Sequence, residues 1–169
     1  MFTASPLPVS FVLERVLPTG AELAWGYRHG WVSAESAVAI ALAKLEAGAY
    51  LPGPEEELAL LLSDDLDRVQ ELLEDLEFVD EPAERRARLW LFLALAYVFD
   101  RREEFEDPLG VVEDLYALFE YPDEIQGLVR YMPVPVGEPM GVDAVMQRWA
   151  SWVASVGQEY RHRESMQAD

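Results

Sequence analysis

Two histidines and many carboxylates are the residues of this sequence that could build a metal centre. Glu159 and His162 have the Glu-x-x-His spacing that places two ligands on one helix face in carboxylate-bridged di-metal proteins. Such a centre needs two of these pairs and two further glutamates inside a helical bundle. The other histidine, His29, follows Gly26 where the second pair requires a glutamate. Because the second pair is absent, we predict no metal centre.

Nucleophilic catalysis and cofactor binding also lack their usual motifs. The sequence has no cysteine and no G-x-S-x-G elbow. The glycine-containing stretch "VPVGEPMG", residues 134 to 141, has neither the P-loop nor the dinucleotide-binding spacing, so we expect no cofactor. Adjacent acids such as Asp64–Asp65 and Glu113–Asp114 remain for acid–base chemistry, but chance places such pairs in any chain with 32 acids.

We therefore predict that the protein is not an enzyme. One alternative stays open, a small metal-free hydrolase or transferase that uses a carboxylate in a helical cleft. A deep pocket that holds an acid of raised pKa would favour that alternative.

Charge is the feature that most restricts the partners. The chain has 32 acidic residues against 13 basic ones, which gives a net charge of −19. Such a surface repels nucleic acid and anionic membranes and attracts basic proteins at long range. We expect no nucleic-acid and no membrane partner. Acidity also favours solubility by itself, so an acidic adaptor protein without a basic partner is a second alternative.

The distribution of apolar residues indicates a soluble protein. The first 17 residues lack the basic region of a signal peptide, and Pro6, Pro8 and Glu14 interrupt their apolar residues. The longest apolar run, "LWLFLALAYVF" at residues 89 to 99, is shorter than the roughly 20 residues of a membrane span. We predict a cytoplasmic protein in which this run forms a core helix.

Helical periodicity dominates the chain, without a convincing alternating strand of five or more residues. Pro82 begins a helix that is apolar on all sides in its second half, as expected for the most buried element. We predict an all-α fold with a single domain over residues 1–169. About seven helices would pack around the central helix at 82–99, and residues 1–9 and 164–169 would be loosely ordered.

Two helix starts are marked by capping residues. Thr19 and Glu22 have the spacing of a capping box. Ser33 is a candidate cap of the next helix, and Val38, Leu42 and Leu45 predict its apolar face.

The predicted helix at 64 to 77 separates apolar from acidic residues. Its predicted inward stripe consists of Leu62, Leu66, Val69, Leu73 and Leu76. The acids that fall outside this stripe, and that we take as candidate partner-binding residues, are Asp64, Asp67, Glu71, Glu74 and Asp75. One basic residue, Arg68, accompanies them, so the helix would present a strongly negative surface. The simpler interpretation is a solvated helix face.

A second candidate surface lies in "LFEYPDEIQGLVRYMPVP", residues 118 to 135. Tyr121 precedes Pro122, and a residue before proline is biased away from the helical region. We therefore predict a helix end, a turn and a short helix that Pro133 terminates. Tyr121 and Tyr131 are the partner-binding candidates here, since tyrosine is enriched among binding hot spots.

Two stretches carry a resemblance to known proteins. They are "GVVEDLYALFEYPDEIQGLVRYMP", residues 110 to 133, and "ELAWGYRHGWVSAESAVAIALAKLEAG", residues 22 to 48. Both resemble a family of uncharacterised small bacterial helical proteins, of unknown biochemical function, that look like immunity proteins of polymorphic-toxin or contact-dependent inhibition systems. Residues 52 to 107 match that family only in helical character. The resemblance brings no catalytic residue with it.

Taken with the charge, the resemblance predicts a binding protein whose partner is a basic toxin domain. The acidic surface would steer the toxin domain, a few aromatic anchors would hold it, and binding would occlude it.

Overall fold

The structure, a computed structural model, describes residues 1–51, 53–76 and 81–167. Residue 167 is described without its side chain. Its α-helices are α1 (Val9–Leu13), α2 (Gly20–Arg28), α3 (Ala34–Glu46), α4 (Gly53–Ala59), α5 (Val69–Leu76), α6 (Ala83–Asp100), α7 (Pro108–Leu118) and α8 (Val142–Gln167). Three short 3-10 helices complete the described part, at Ser63–Arg68, Arg102–Glu104 and Asp123–Leu128.

The all-α prediction is confirmed, with eight α-helices in the described ranges where about seven were expected. The predicted helix end at residue 77 and the last two residues of the predicted loose tail, 168 and 169, lie outside the described residues. Residues 164 to 167 continue α8. In the predicted loose start, Leu7 is buried and its backbone N–H donates to the carbonyl oxygen of Trp31 at 3.0 Å.

Contacts along the backbone divide the chain into two compact units. We call Ala4–Trp90 the N-terminal unit, and Met1–Thr3 with Leu91–Asp169 the C-terminal unit. The boundary falls within α6, between Trp90 and Leu91. The single domain expected over residues 1–169 stays a prediction.

The capping residues of the N-terminal unit act as predicted. The Thr19 hydroxyl accepts from the Glu22 backbone N–H at 3.1 Å, and the Glu22 carboxylate accepts from the Thr19 N–H at 2.8 Å. This reciprocal pair satisfies two N–H groups that a helix start leaves without partners. Gly30, with φ of +87°, follows the end of α2, where a left-handed backbone favours glycine. Ser33 caps α3 through the Ser36 N–H at 3.1 Å.

The buried face of α3 differs from the predicted one. Leu42 is 38% exposed, and Val38 and Leu45 are only partly buried, so the predicted apolar face is not the core face. The residues that α3 buries are Ala37, Ile40, Ala41 and Lys44. Small residues let α3 pack closely on α4, its principal neighbour, and Lys44 is buried there because it pairs with Glu55 of α4.

A close helix contact fixes α2 against the first half of α6. A Cβ atom added at Gly26 would lie 2.3 Å from the Cε2 atom of Trp90, so only glycine leaves room for that ring. The Trp90 indole N–H donates to the Glu22 carbonyl oxygen at 2.7 Å, which holds the ring in place.

The second half of α6 is buried, as its sequence predicted. Leu91, Phe92, Leu93 and Leu95 are each at most 3% exposed. Within the C-terminal unit, the buried indole N–H of Trp149 donates to the Leu95 carbonyl oxygen at 3.2 Å. Across the ranges that the structure describes, none of the helices has both the length and the hydropathy of a membrane span.

Candidate functional site

The five candidate acids lie on two consecutive helices of the N-terminal unit. The 3-10 helix Ser63–Arg68 leads directly into α5. Helix α5 packs against α2 and α4 and buries Val69, Leu72, Leu73 and Leu76. The acids are all exposed, as the pattern predicted, and we call them the acidic face: Asp64, Asp67, Glu71, Glu74 and Asp75.

The apolar stripe behind the acidic face is shorter than predicted. Leu62 is 69% exposed, so the expectation that it faces inward is wrong, and Leu66 is only partly buried. The cause is the helix type. A 3-10 helix has three residues per turn, so the α-helical spacing does not return these leucines to one side. Leu62 itself has an extended backbone, with ψ of 165°, and precedes the helix.

Arg68, the cation within residues 64 to 75, already has a partner. Its guanidinium donates to the carboxylate of Glu57 on α4. This hydrogen bond, followed by the charge of Glu57, raises the pKa of Arg68. Glu57 thus engages this guanidinium directly, and Glu71 of the acidic face acts on it through its charge alone.

A groove lies beside the C-terminal end of the acidic face. Its volume is about 600 Å³, with Ala24, Tyr27 and Arg28 of α2 on one wall and Gln70, Leu73, Glu74 and Asp75 of α5 on the other. Carboxylates next to an aromatic ring suit a cationic side chain, which each of them attracts. The sequence separates these two walls by more than 40 residues, so the groove was not predictable from the acidic pattern alone.

The second candidate region begins where α7 ends. Glu120 and Tyr121 adopt the left-handed conformation, with φ of +63° and +60°. The Tyr121 N–H donates to the Tyr116 carbonyl oxygen at 2.8 Å, and the Glu120 N–H donates to that of Ala117 at 3.1 Å. These bonds close the helix end before Pro122, and the short helix Asp123–Leu128 follows. The predicted order of helix end, turn and short helix is thus confirmed. The short helix ends at Leu128, where Val129 turns extended, and not at Pro133 as predicted.

Three tyrosines meet at this turn, and we call Tyr116, Tyr121 and Tyr131 the tyrosine patch. The ring of the buried Tyr116 lies 5.3 Å from that of Tyr121 and 6.5 Å from that of Tyr131, measured between centroids. Tyr121 is 60% exposed and Tyr131 is 61% exposed. Partial desolvation raises the pKa of Tyr131, and Tyr116, Tyr121 and Glu113 add smaller contributions. The patch therefore offers two aromatic surfaces on a buried aromatic base.

Arg130 fixes the backbone next to Tyr131 onto α7. Its Nε donates to Glu113 at 2.7 Å, and its Nη2 donates to Asp107 at 3.0 Å. Asp107 also caps α7 by accepting from the Gly110 N–H at 3.1 Å. The hydrogen bond from Arg130, followed by that from the Gly110 N–H, lowers the pKa of Asp107. The hydrogen bonds that Arg130 donates to Glu113 and Asp107 raise the pKa of Arg130. Sequence reasoning missed this arginine because its two partners are 17 and 23 residues away.

An apolar pocket of about 350 Å³ lies in the same unit, after the tyrosine patch in sequence. Its apolar lining includes Val129, Met132, Pro133 and Val145. Arg148 of α8 bridges the connection by donating to the carbonyl oxygens of Gly127 at 2.8 Å and Pro139 at 3.0 Å. The two arginines of this region therefore hold loop backbone, a role that their sequence positions did not reveal.

The candidate residues thus fall into two sets. The acidic face belongs to the N-terminal unit, and Tyr121 and Tyr131 belong to the C-terminal unit. In residues 1–51, 53–76 and 81–167 no group of three or more histidine, aspartate or glutamate side chains has the arrangement of a metal site. What both sets share is chemistry that attracts cations, by charge in one and by aromatic rings in the other.

Fold and surface together define an all-α, strongly acidic protein. The chain belongs to a bacterial family described as "uncharacterized protein conserved in bacteria (DUF2247)", whose family model matches residues 9–156. This match confirms the expected bacterial family of unknown biochemical function. No curated protein matches the chain. No solved structure matches it either.

Proposed function

We propose that this chain is a bacterial immunity protein that binds a basic toxin domain and occludes it through the acidic face. The observation that carries the proposal is the joint exposure of five carboxylates between residues 64 and 75, beside an arginine that Glu57 engages. The resemblance of residues 22 to 48 and 110 to 133 to immunity proteins supports the same function. The proposal places the chain in the cytoplasm, where it would meet the toxin domain.

Electrostatics gives the acidic face a reason to bind a basic protein. Carboxylates gathered on one short segment repel one another, and a positively charged partner lowers that repulsion. In a chain of net charge −19, the field also extends beyond contact distance and raises the association rate. A toxin that acts on nucleic acid has a positive site for the same reason, so its site is complementary to this surface.

The groove beside the acidic face supports the proposal on geometric grounds. Glu74 and Asp75 lie on its α5 wall, and the ring of Tyr27 lies on its α2 wall. A lysine or arginine of the partner that enters from the α5 side would meet both carboxylates and the ring.

The test is a charge reversal with a matched control. The acidic-face variant is Asp67→Lys, Glu71→Lys and Glu74→Lys together. The control is Glu103→Lys, Glu104→Lys and Glu106→Lys, three exposed acids of the C-terminal unit, so both variants have the same net charge. Association with the basic domain encoded beside this gene is measured by surface-capture kinetics at roughly 0.05 and 0.2 M salt.

We expect the acidic-face variant to associate at least about tenfold more slowly than the native chain, because steering contributes roughly 10- to 1,000-fold to association rates. The control should change the rate by less than about twofold at 0.2 M salt, where screening removes long-range effects. Circular dichroism should show native helicity in both. Equal rates for the two variants would mean that the acidic face is only solvated, and failure of any neighbouring domain to bind would refute the immunity function.

A further inference from the structure

We infer that the tyrosine patch is a docking site for an arginine side chain of the protein partner. The inference rests on the proposed function in one respect, that the partner is a basic protein. It adds a second contact surface, in the C-terminal unit, and it names the chemical group which that surface takes. The backbone of the patch, its two exposed rings and the exposed Glu120, which precedes Tyr121 in sequence, support it.

The patch is rigidly built at a cost to the backbone. Two successive residues other than glycine, Glu120 and Tyr121, hold left-handed conformations, which are strained for residues that carry a Cβ atom. The turn places the ring of Tyr121 edge-on against Tyr116, at an interplanar angle of 83°. Strained backbone of this kind is concentrated at functional sites.

Both exposed tyrosines are anchored on the same helix. Tyr121 follows the end of α7 and bonds back to Tyr116 through its N–H. Tyr131 follows Arg130, whose guanidinium is bound by Asp107 and Glu113 of the first turns of α7. Because the backbone at Tyr121 and beside Tyr131 is held before a partner arrives, binding needs to order less of the chain.

The chemistry of the patch favours a guanidinium group. A planar guanidinium stacks on tyrosine faces and at the same time donates two parallel hydrogen bonds to a carboxylate. Two exposed rings are present, and the exposed Glu120 directly precedes Tyr121. The same stacking recurs within this chain, where the guanidinium of Arg15 lies 3.7 Å from the Phe11 ring centroid and that of Arg101 lies 4.0 Å from the Tyr97 centroid. An ammonium group lacks the planar surface for this arrangement.

The experiment uses the full chain and three synthetic peptides of equal length. Four Gly-Arg repeats carry guanidinium groups, four Gly-Lys repeats carry ammonium groups, and four Gly-citrulline repeats carry the neutral isostere of arginine. Binding is followed by NMR of chains with labelled tyrosine rings. The variant is Tyr121→Leu with Tyr131→Leu, and the matched control is Tyr50→Leu, which removes a tyrosine of the N-terminal unit that is 94% exposed.

We expect the arginine peptide to shift the ring signals of Tyr121 and Tyr131 and to bind at least about threefold more tightly than the lysine peptide. The double variant should bind the arginine peptide about fivefold more weakly than the native chain does, and Tyr50→Leu should leave the affinity for this peptide unchanged. The citrulline peptide should bind least. Equal affinity for arginine and lysine peptides, together with no loss in the double variant, would show that the peptides sense only net charge and would overturn the inference.

A second measurement separates this inference from the proposed function. With the neighbouring toxin domain as ligand, Tyr121→Leu with Tyr131→Leu should raise the dissociation rate, whereas reversal of the acidic face should lower the association rate. If the domain binds but the tyrosine variant dissociates at the native rate, the docking site is wrong and the immunity function stands. If arginine peptides bind the patch while no neighbouring domain binds, the docking site stands and the immunity function fails.

Discussion

The acidic face and the tyrosine patch hold their exposed side chains by different means. The acidic face lies on regular helix surface, and its carboxylates point outward because Val69, Leu72, Leu73 and Leu76 occupy the inward positions. The tyrosine patch lies at a helix end, where a left-handed turn and the bonds of Arg130 place each ring.

The two regions therefore tolerate different substitutions. Charges on the acidic face can be replaced without altering the packing behind them, so they are free to serve binding alone. At the tyrosine patch, the residues that place the rings also close α7, so changes there alter both structure and binding. Substitutions at a buried leucine, at two helix glycines, at the left-handed turn and at the Arg130 ion pair test this comparison.

Replacing Leu73 by alanine should destabilise the chain by about 2–5 kcal/mol, because Leu73 is 2% exposed and its removal leaves a cavity behind the acidic face. The matched change is Leu62→Ala, at a leucine that is 69% exposed. It should alter the free energy of unfolding by no more than about 0.5 kcal/mol. Urea denaturation measures both, and equal losses would show that Leu62 belongs to the support of the acidic face after all.

Gly26→Ala should destabilise the chain by about 1–3 kcal/mol, although alanine is the better helix former. The added Cβ would lie 2.3 Å from Trp90, whose ring is held by its bond to the Glu22 carbonyl oxygen. Helix α2 forms one wall of the groove beside the acidic face, so this variant should also weaken binding of the proposed basic partner at that groove.

Gly157→Ala in α8 is the matched control for Gly26→Ala, because both replace a glycine within a helix. Its added Cβ would lie 3.6 Å from Phe92, an ordinary contact, so the variant should gain about 0.5–1 kcal/mol from helix propensity. Thermal melts of the two variants should therefore move in opposite directions. A stabilised Gly26→Ala would mean that Trp90 moves aside at little cost.

Sequence reasoning succeeded where a single local rule decides the structure. The capping box at Thr19, the exposure of the five acids and the burial of the apolar half of α6 each follow from one short pattern. The turn at Tyr121–Pro122 was predictable because proline restricts the residue before it. The left-handed backbone of Glu120 and Tyr121 was not, since neither residue type favours it.

Sequence reasoning failed where distant residues decide the structure. Glu55 lies in the first turn of α4 and is buried because Lys44 of α3, 11 residues away, supplies its counter-charge. The core face of α3 consists of Ala37, Ile40, Ala41 and Lys44, of which Lys44 pairs with Glu55 of α4, and Leu42 is 38% exposed. Leu62 was misplaced because its backbone is extended and it precedes the 3-10 helix, so helical spacing does not apply to it. In each case, the deciding partner or helix type is invisible in the local pattern.

Glu120→Gly should stabilise the chain by about 0.5–1 kcal/mol. Glycine adopts the left-handed conformation without strain, and this gain exceeds the loss from its greater freedom in the unfolded chain. Glu120→Ala removes the same carboxylate but keeps the strain, so it should bring no gain. Chemical denaturation of both variants is the measurement. If alanine stabilises as much as glycine, the effect comes from charge, and the turn stores no strain.

Arg130→Met should raise the pKa of Asp107 toward its ordinary value of 3.8 without restoring it fully, because the Gly110 N–H still donates to the carboxylate. A lowered pKa in the folded chain contributes stability above the unfolded pKa, and this contribution is lost as the pH falls through the folded value. The difference in melting temperature between native chain and variant should therefore be largest near pH 6 and shrink below about pH 4. Carbon NMR of the Asp107 carboxyl group measures the titration directly.

Arg148→Met is the control, since Arg148 bonds to Gly127 and Pro139, and it should leave the titration of Asp107 unchanged. An unchanged midpoint in Arg130→Met would show that the cap at Gly110 alone sets the acidity of Asp107.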